Sequence, residues 1–177
     1  MKAVYLVGEP GTGKTTLMNR LLATYDRQAP VKLDGTLMGE PLRIGQRTVG
    51  LHLGTNRAGG FGGTDALAMN VHPVAVAWAS SSPLPPRVYA EGQRLGTVAF
   101  LRALAARGSV TLALLQGEEV AAARRAQRGS TQSESFIKGA RTRAANLAER
   151  APRGVTVLTL DAELPVEELA RRIREVA

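Results

Sequence analysis

Eight residues near the start of the chain limit what it can fold into. Gly8-Glu9-Pro10-Gly11-Thr12-Gly13-Lys14-Thr15 fits the pattern G-x-x-x-x-G-K-[ST]. In that pattern glycines let a loop curl until successive backbone N–H groups point inward at an anion. The pattern carries meaning only between a strand and a helix, and both flanks are legible. Residues 2–7, Lys-Ala-Val-Tyr-Leu-Val, are the short apolar run of a buried central strand. Leu17, Met18, Leu21, Leu22 and Tyr25 then recur at helical spacing. A strand–loop–helix unit that binds phosphate is predicted. Its expected nucleotide contacts are Gly8, Gly11, Thr12, Gly13, Lys14, Thr15 and Thr16. Lys14 would reach the outer phosphates of ATP, the Thr15 hydroxyl would ligate Mg²⁺, and the helix would turn its positive end toward them.

The rest of the chain alternates strands with helices. Nine of the 19 glycines fall between Gly35 and Gly63. Residues 30–63 are therefore expected to form a Gly-rich extended insertion, with strands at Val31–Leu33, around Leu42–Ile44 and at Val49–Leu53. By composition, Gly54–Gly63 is a mobile loop. Thr64 is placed to cap a helix carrying Leu67, Ala68, Val71 and Val74, which Pro73 would kink or end. Ser80–Pro86 is a linker. Arg87–Ala90 is a second core strand ending in Glu91-Gly92, followed by a helix from about Leu95 to Arg107. Val110–Leu115 is a third strand. A basic helix opens at Glu118-Glu119 and stops at Gly129. Thr131-x-x-Glu134 is a capping box for a helix to about Arg150. Val155–Leu160 is the last strand, and Pro165 begins a terminal helix with Val166, Leu169, Ile173 and Val176 on one face. This order predicts a single α/β domain over 1–177, doubly wound, with a mainly parallel sheet and helices on both faces.

Composition narrows the function. With no Cys, disulfide-built modules and Cys-ligated zinc sites are excluded, and two His make a His-rich metal site improbable. No apolar run approaches the ~18 residues needed to cross a bilayer, and the first apolar stretch is too short for a signal peptide. A cytoplasmic protein without membrane partners is expected. The net charge is +8, and 19 of the 23 basic residues are Arg. Between Arg124 and Arg153 there are eight basic and two acidic residues, a net of +6. Such clustering suggests phosphate, in a nucleotide or along a nucleic-acid backbone.

Several nucleotide-binding classes fall away. The guanine-specific [NT]-K-x-D is absent, as is any L-S-G-G-Q-like signature. What remains is the compact P-loop kinase group, with a second acidic strand end and an Arg-rich lid. Glu91 takes the acidic place, beside the loop at the carboxyl edge of the sheet, where it would hold Mg²⁺. Arg124, Arg125 and Arg128 fall in the lid, within about 118–146, where they would neutralise charge on the transferred phosphoryl group. An alcohol acceptor needs a carboxylate to take its proton. Of four Asp, Asp65 sits at a helix start beneath the Gly-rich loop, and Asp34 lies 20 residues after Lys14, a spacing that resembles polynucleotide kinases.

Phe61-Gly62-Gly63-Thr64-Asp65, then Tyr89-Ala90-Glu91-Gly92-Gln93-Arg94-Leu95, then Arg124-Arg125 with Gln132 and Phe136-Ile137-Lys138-Gly139 resemble a phage-associated group of small P-loop kinases. That group includes the bacteriophage 5-hydroxymethyluracil DNA kinases. The resemblance runs roughly from Met1 to Asn146. It implies that Asp65 and Glu91 are site residues, that Arg94 contacts substrate or phosphate, and that the acceptor is a base hydroxymethyl group in DNA. Phe61, Tyr89, Trp78 or Phe136 could hold an extruded base, while Lys138, Arg141 and Arg143 would meet the DNA backbone. Two alternatives stay open: a small-molecule kinase acting on a nucleoside, nucleotide or sugar-like alcohol, and a nucleotide-dependent DNA-binding protein with no acceptor.

Overall fold

A computed structural model describes residues 1–55 and 62–177. Phe61 and most of the predicted Gly54–Gly63 loop lie outside the described residues.

The apolar run at the N-terminus becomes β1 (Lys2–Gly8), the central strand. It pairs in parallel with β6 (Arg87–Glu91) on one side and β7 (Ser109–Gln116) on the other. Beyond β7 lies β8 (Val155–Asp161), also parallel, and beyond β6 lies β5 (Arg47–Leu53), parallel again. The parallel core therefore runs β5-β6-β1-β7-β8. The Gly-rich insertion extends it with antiparallel strands. β4 (Leu37–Ile44) pairs with β5, and both β2 (Asp26–Arg27) and β3 (Val31–Asp34) pair with β4.

Alternation along β1 divides the core. Val4 and Leu6 point to the face covered by α1 (Lys14–Leu22) and α6 (Val166–Val176). Ala3, Tyr5 and Val7 point to the face covered by α2 (Val71–Ser81), α3 (Val98–Ala105) and α5 (Glu134–Glu149). Leu17, Leu22 and Ile173 are fully or almost fully buried, each worth ~1.5–3 kcal/mol of transfer free energy. α4 (Glu118–Gln127) sits over the phosphate loop, its Ala121 backbone against Gly11. Gly11 has φ +97°, and a Cβ there would run into the Ala121 carbonyl, so this approach of loop and helix requires glycine.

The predicted doubly wound architecture is observed, with local corrections. No α-helix begins at Thr64: Gly63–Ala66 is a 3₁₀ turn, and the Thr64 hydroxyl donates to the Glu91 carbonyl at 2.8 Å. Pro73 neither kinks nor ends α2. It lies in the first turn, where the missing N–H has no intrahelical acceptor to lose. The cap of α5 is Ser133, not Thr131, with Oγ accepting the Phe136 N–H at 3.3 Å. α1 stops at Leu22, and Tyr25 meets Tyr89 hydroxyl to hydroxyl at 3.1 Å.

Candidate active site

The site is built at the carboxyl ends of β1 and β6. Register sets Leu6 opposite Glu91, so the phosphate loop and the acidic strand end are neighbours by sheet pairing. Glu91 is 2% exposed. Its Oε2 accepts a hydrogen bond from the Thr15 hydroxyl at 3.1 Å, while its buried Oε1 has no partner among the described residues. Burial pushes its carboxyl pKa up, against the pull of Thr15, Lys14 and His52. A buried carboxylate oxygen left over beside a hydroxyl suits a hard cation with oxygen ligands. Among the described residues no group of three or more His, Asp or Glu could hold a metal. Mg²⁺ does not need one, since it takes one or two carboxylates plus substrate phosphates. The donor set fits.

Lys14 folds back on its own loop, donating to the Gly8 and Glu9 carbonyls at 3.0 and 2.8 Å. Burial lowers its pKa, opposed by the charges of Glu91, Asp65 and Glu9. An arriving phosphate would give this ammonium a better partner than two carbonyls.

The lid arginines lie over the loop. Arg124 donates to the Thr12 carbonyl at 3.4 Å, Arg125 donates to the Pro10 carbonyl, and Arg128 donates to the Arg124 carbonyl at 3.1 Å. Glu9, inside the loop and 3% exposed, ties this cover down. Arg141 donates to it at 2.7 Å and also pairs with Glu118, while Arg125 lies 3.5 Å away. Glu9 and Glu118 were not singled out in the sequence. The available signal was an acid inside an anion-binding loop, which demands counter-charge nearby.

Asp65 stands at the cavity wall. Its Oδ1 accepts the N–H groups of Gln93 and Arg94 at 2.8 and 3.0 Å, and Oδ2 makes no hydrogen bond among the described residues. Gly92 permits this: at φ +110°, a Cβ would sit 2.9 Å from the Asp65 carboxylate. Arg94 donates to the Asp65 carbonyl at 3.2 Å and reaches Met69 sulfur.

One cavity of about 1060 Å³ joins these parts. Lys14, Thr15, Thr16 and Glu91 line it together with Asp65, Arg94, Arg125, Arg128, Gln132, Phe136 and Arg143. Asp34 is not brought into it; it is exposed at the turn between β3 and β4. The basic face expected on α5 is also divided. Arg141 is spent on Glu9 and Glu118, Arg143 bonds Gln93 at 2.9 Å on the cavity wall, and Lys138 is exposed. Ala140, Ala144 and Leu147 pack on the domain as expected, whereas Phe136 is 44% exposed.

A second polar cluster lies beneath α1. Glu40 accepts from Arg27 at 3.1 Å and bonds His52 Nδ1 at 3.2 Å. Burial opposes its charge, but the bonds from His52 and Arg27 hold its pKa down to about 2.

Phosphate loop, adjacent acidic strand end and arginine-bearing cover on a doubly wound sheet define a P-loop kinase, an ATP-dependent phosphotransferase. The chain belongs to the family described as P-loop Nucleotide Kinase3, whose model matches residues 1–165. No curated protein matches. Among solved structures, the chain is similar to an unliganded sugar kinase from Janibacter sp. HTCC2649, at 13% identity and a TM-score of 0.46, over 99% of this chain and 94% of that one. Among the described residues, no helix is long and apolar enough to cross a membrane.

Proposed function

We propose that the protein transfers the γ-phosphoryl group of ATP to a hydroxyl of a small, nucleotide-class acceptor. The observation that carries this is a cavity lined both by the phosphate loop and by arginine, glutamine and aromatic side chains. Arg94 and Arg143 suit an acceptor anion, Gln132 suits the polar edge of a base, and Phe136 suits its face. The family description, a nucleotide kinase, agrees.

The roles follow from position. The loop N–H groups and Lys14 hold the ATP phosphates, and Thr15 and Glu91 are the residues that would hold Mg²⁺. When bound, that ion neutralises charge on the phosphate oxygens. Asp65 accepts the acceptor's proton on Oδ2, while the two amides on Oδ1 fix its direction. Arg125 and Arg128 stabilise the charge on the phosphoryl group in flight.

A second reading has one observation in its favour. Phe136 lines the cavity, and Lys138, two residues on, is exposed. That pair could meet an extruded hydroxymethyluracil base and its backbone in phage DNA. The withdrawal of Arg141 into ion pairs with Glu9 and Glu118 favours the small acceptor instead.

The test is γ-labelled ATP with a panel of nucleosides, nucleoside monophosphates, sugars, plain DNA, hydroxymethyluracil DNA and 5′-hydroxyl oligonucleotides. Label on a free nucleoside or nucleotide is the expected result. Label on hydroxymethyluracil DNA alone replaces it with the second reading. ATP consumed with DNA bound and no labelled acceptor points to a nucleotide-dependent DNA-binding protein.

A further inference from the structure

Oε1 of Glu91 and Nε2 of His52 are buried without a hydrogen-bond partner among the described residues; so is Oε1 of Glu9 in the phosphate loop, but that oxygen has the Arg125 guanidinium 3.5 Å away. His52 is 1% exposed and Glu91 2%. The sheet puts them on the same side. β5 and β6 are parallel with His52 opposite Tyr89, so Glu91 is the diagonal neighbour of His52 on the α1 face. Diagonal neighbours on a sheet face lie roughly 7–8 Å apart, within reach of one another's side chains.

The tautomer of His52 is set from the other side. Glu40 is ionised at neutral pH and can only accept, so His52 Nδ1 carries the proton and donates at 3.2 Å. Arg27 fixes Glu40 in turn and is itself held by Asn19 of α1 at 2.8 Å. In the Nδ1–H tautomer Nε2 is bare, and it is buried without a hydrogen-bond partner among the described residues. Two acceptors, Nε2 and Oε1, cannot bond each other directly. A water molecule can serve both, donating one O–H to each, and buried waters are found where polar atoms would otherwise lack partners.

We infer that His52, oriented by Glu40, is a positioning residue for Glu91: a shared water joins Nε2 to Oε1 and leaves Oε2 turned to Thr15 and the metal. This rests on the reading of Thr15 and Glu91 as the metal-holding pair. His52 touches neither the nucleotide nor the metal. It acts through the direction of the Glu91 carboxylate, as hydrogen-bonded outer partners do at other metal sites.

The test measures Mn²⁺ binding by electron paramagnetic resonance, with a non-hydrolysable ATP analogue present. His52→Phe removes the nitrogens and keeps a ring. The expected result is a loss of metal affinity of roughly tenfold or more. Affinity for the analogue without metal should be unchanged, and turnover should recover at saturating Mg²⁺. His52→Gln, which restores an acceptor, should regain most of the affinity. A purely structural role would not be rescued by metal. If Glu91→Gln weakens Mn²⁺ binding and folded His52→Phe does not, this inference falls alone. If neither weakens it, the metal reading falls, and this inference with it. The unchanged protein supplies a check independent of folding. Its imidazole ¹⁵N spectrum, with only two His to assign, should show His52 protonated at Nδ1 and bare at Nε2. The opposite tautomer overturns the proposal.

Discussion

The two ends of the cavity are built by different means. At the donor end, Lys14, Thr15 and Glu91 hang from the ends of adjacent parallel strands and the helix that follows one of them. Backbone register places them. At the other end, Arg94, Phe136 and Arg143 come from a turn and from α5, and their positions depend on side-chain bonds such as Arg143 to Gln93 at 2.9 Å. Sheet register does not drift with single substitutions, whereas long side chains are replaced freely. One chain can thus keep its donor chemistry and alter its acceptor. Changes at the two ends should separate in kinetics.

The largest effect belongs to the donor end. Lys14→Ala should lower turnover by roughly 10²–10³-fold or more, the scale of losing a cationic partner for developing charge. Its thermal midpoint should stay close to that of the unchanged protein, because among the described residues Lys14 hydrogen-bonds only carbonyls of its own loop. Near-normal turnover in the folded variant would remove the ATP site from this loop.

Asp65→Asn tests the proposed base. The amide oxygen can still accept from Gln93 and Arg94 but cannot take a proton. A loss of roughly 10² in kcat with little change in stability is expected. Asp34→Asn, at an exposed turn outside the cavity, should cost far less. The reverse order in a side-by-side assay would move the base to Asp34.

A smaller effect concerns the cluster beneath α1. The Glu40 pKa falls from 4.5 to about 2 on folding. Its charge therefore stabilises the fold above pH 4.5, and that contribution is lost as pH falls toward 2. Urea midpoints should decline across this window in the unchanged protein and decline less in Glu40→Gln. Parallel curves would contradict the assignment.

The smallest effect is predicted for Lys138→Ala. An exposed lysine with no ion pair among the described residues should leave ATP kinetics untouched. If DNA is an acceptor, the change should flatten the salt dependence of DNA binding by about one phosphate contact. A fall in ATP turnover would place Lys138 in the donor machinery.

The donor end was legible in the sequence because its rule is local. Gly8 to Thr15 is one continuous string, and Glu91 closes a recognisable apolar strand. The strand order that joins them is supplied by the structure, in which β6 pairs directly with β1. The acceptor end was legible only in part. Arg141 and Arg143 lie two residues apart on one helix, yet one is taken by Glu9, 132 positions away, and the other faces the cavity. No periodicity encodes that difference. Glu40 and His52 were missed for the same reason: their meeting needs the antiparallel register of β4 and β5. Thr131 and Ser133 both fit a cap, and only the path of the chain between α4 and α5 selects Ser133.

The division of the cavity is tested most directly by the kinetics of Arg143→Ala with the acceptor found by labelling. Arg143 lines the cavity and its side chain bonds only Gln93 among the described residues, so its loss should leave the fold intact. The KM for the acceptor should rise roughly tenfold or more, the worth of a charge-assisted hydrogen bond, while the KM for ATP stays within about twofold. A raised KM for ATP with an unchanged KM for the acceptor would contradict the account.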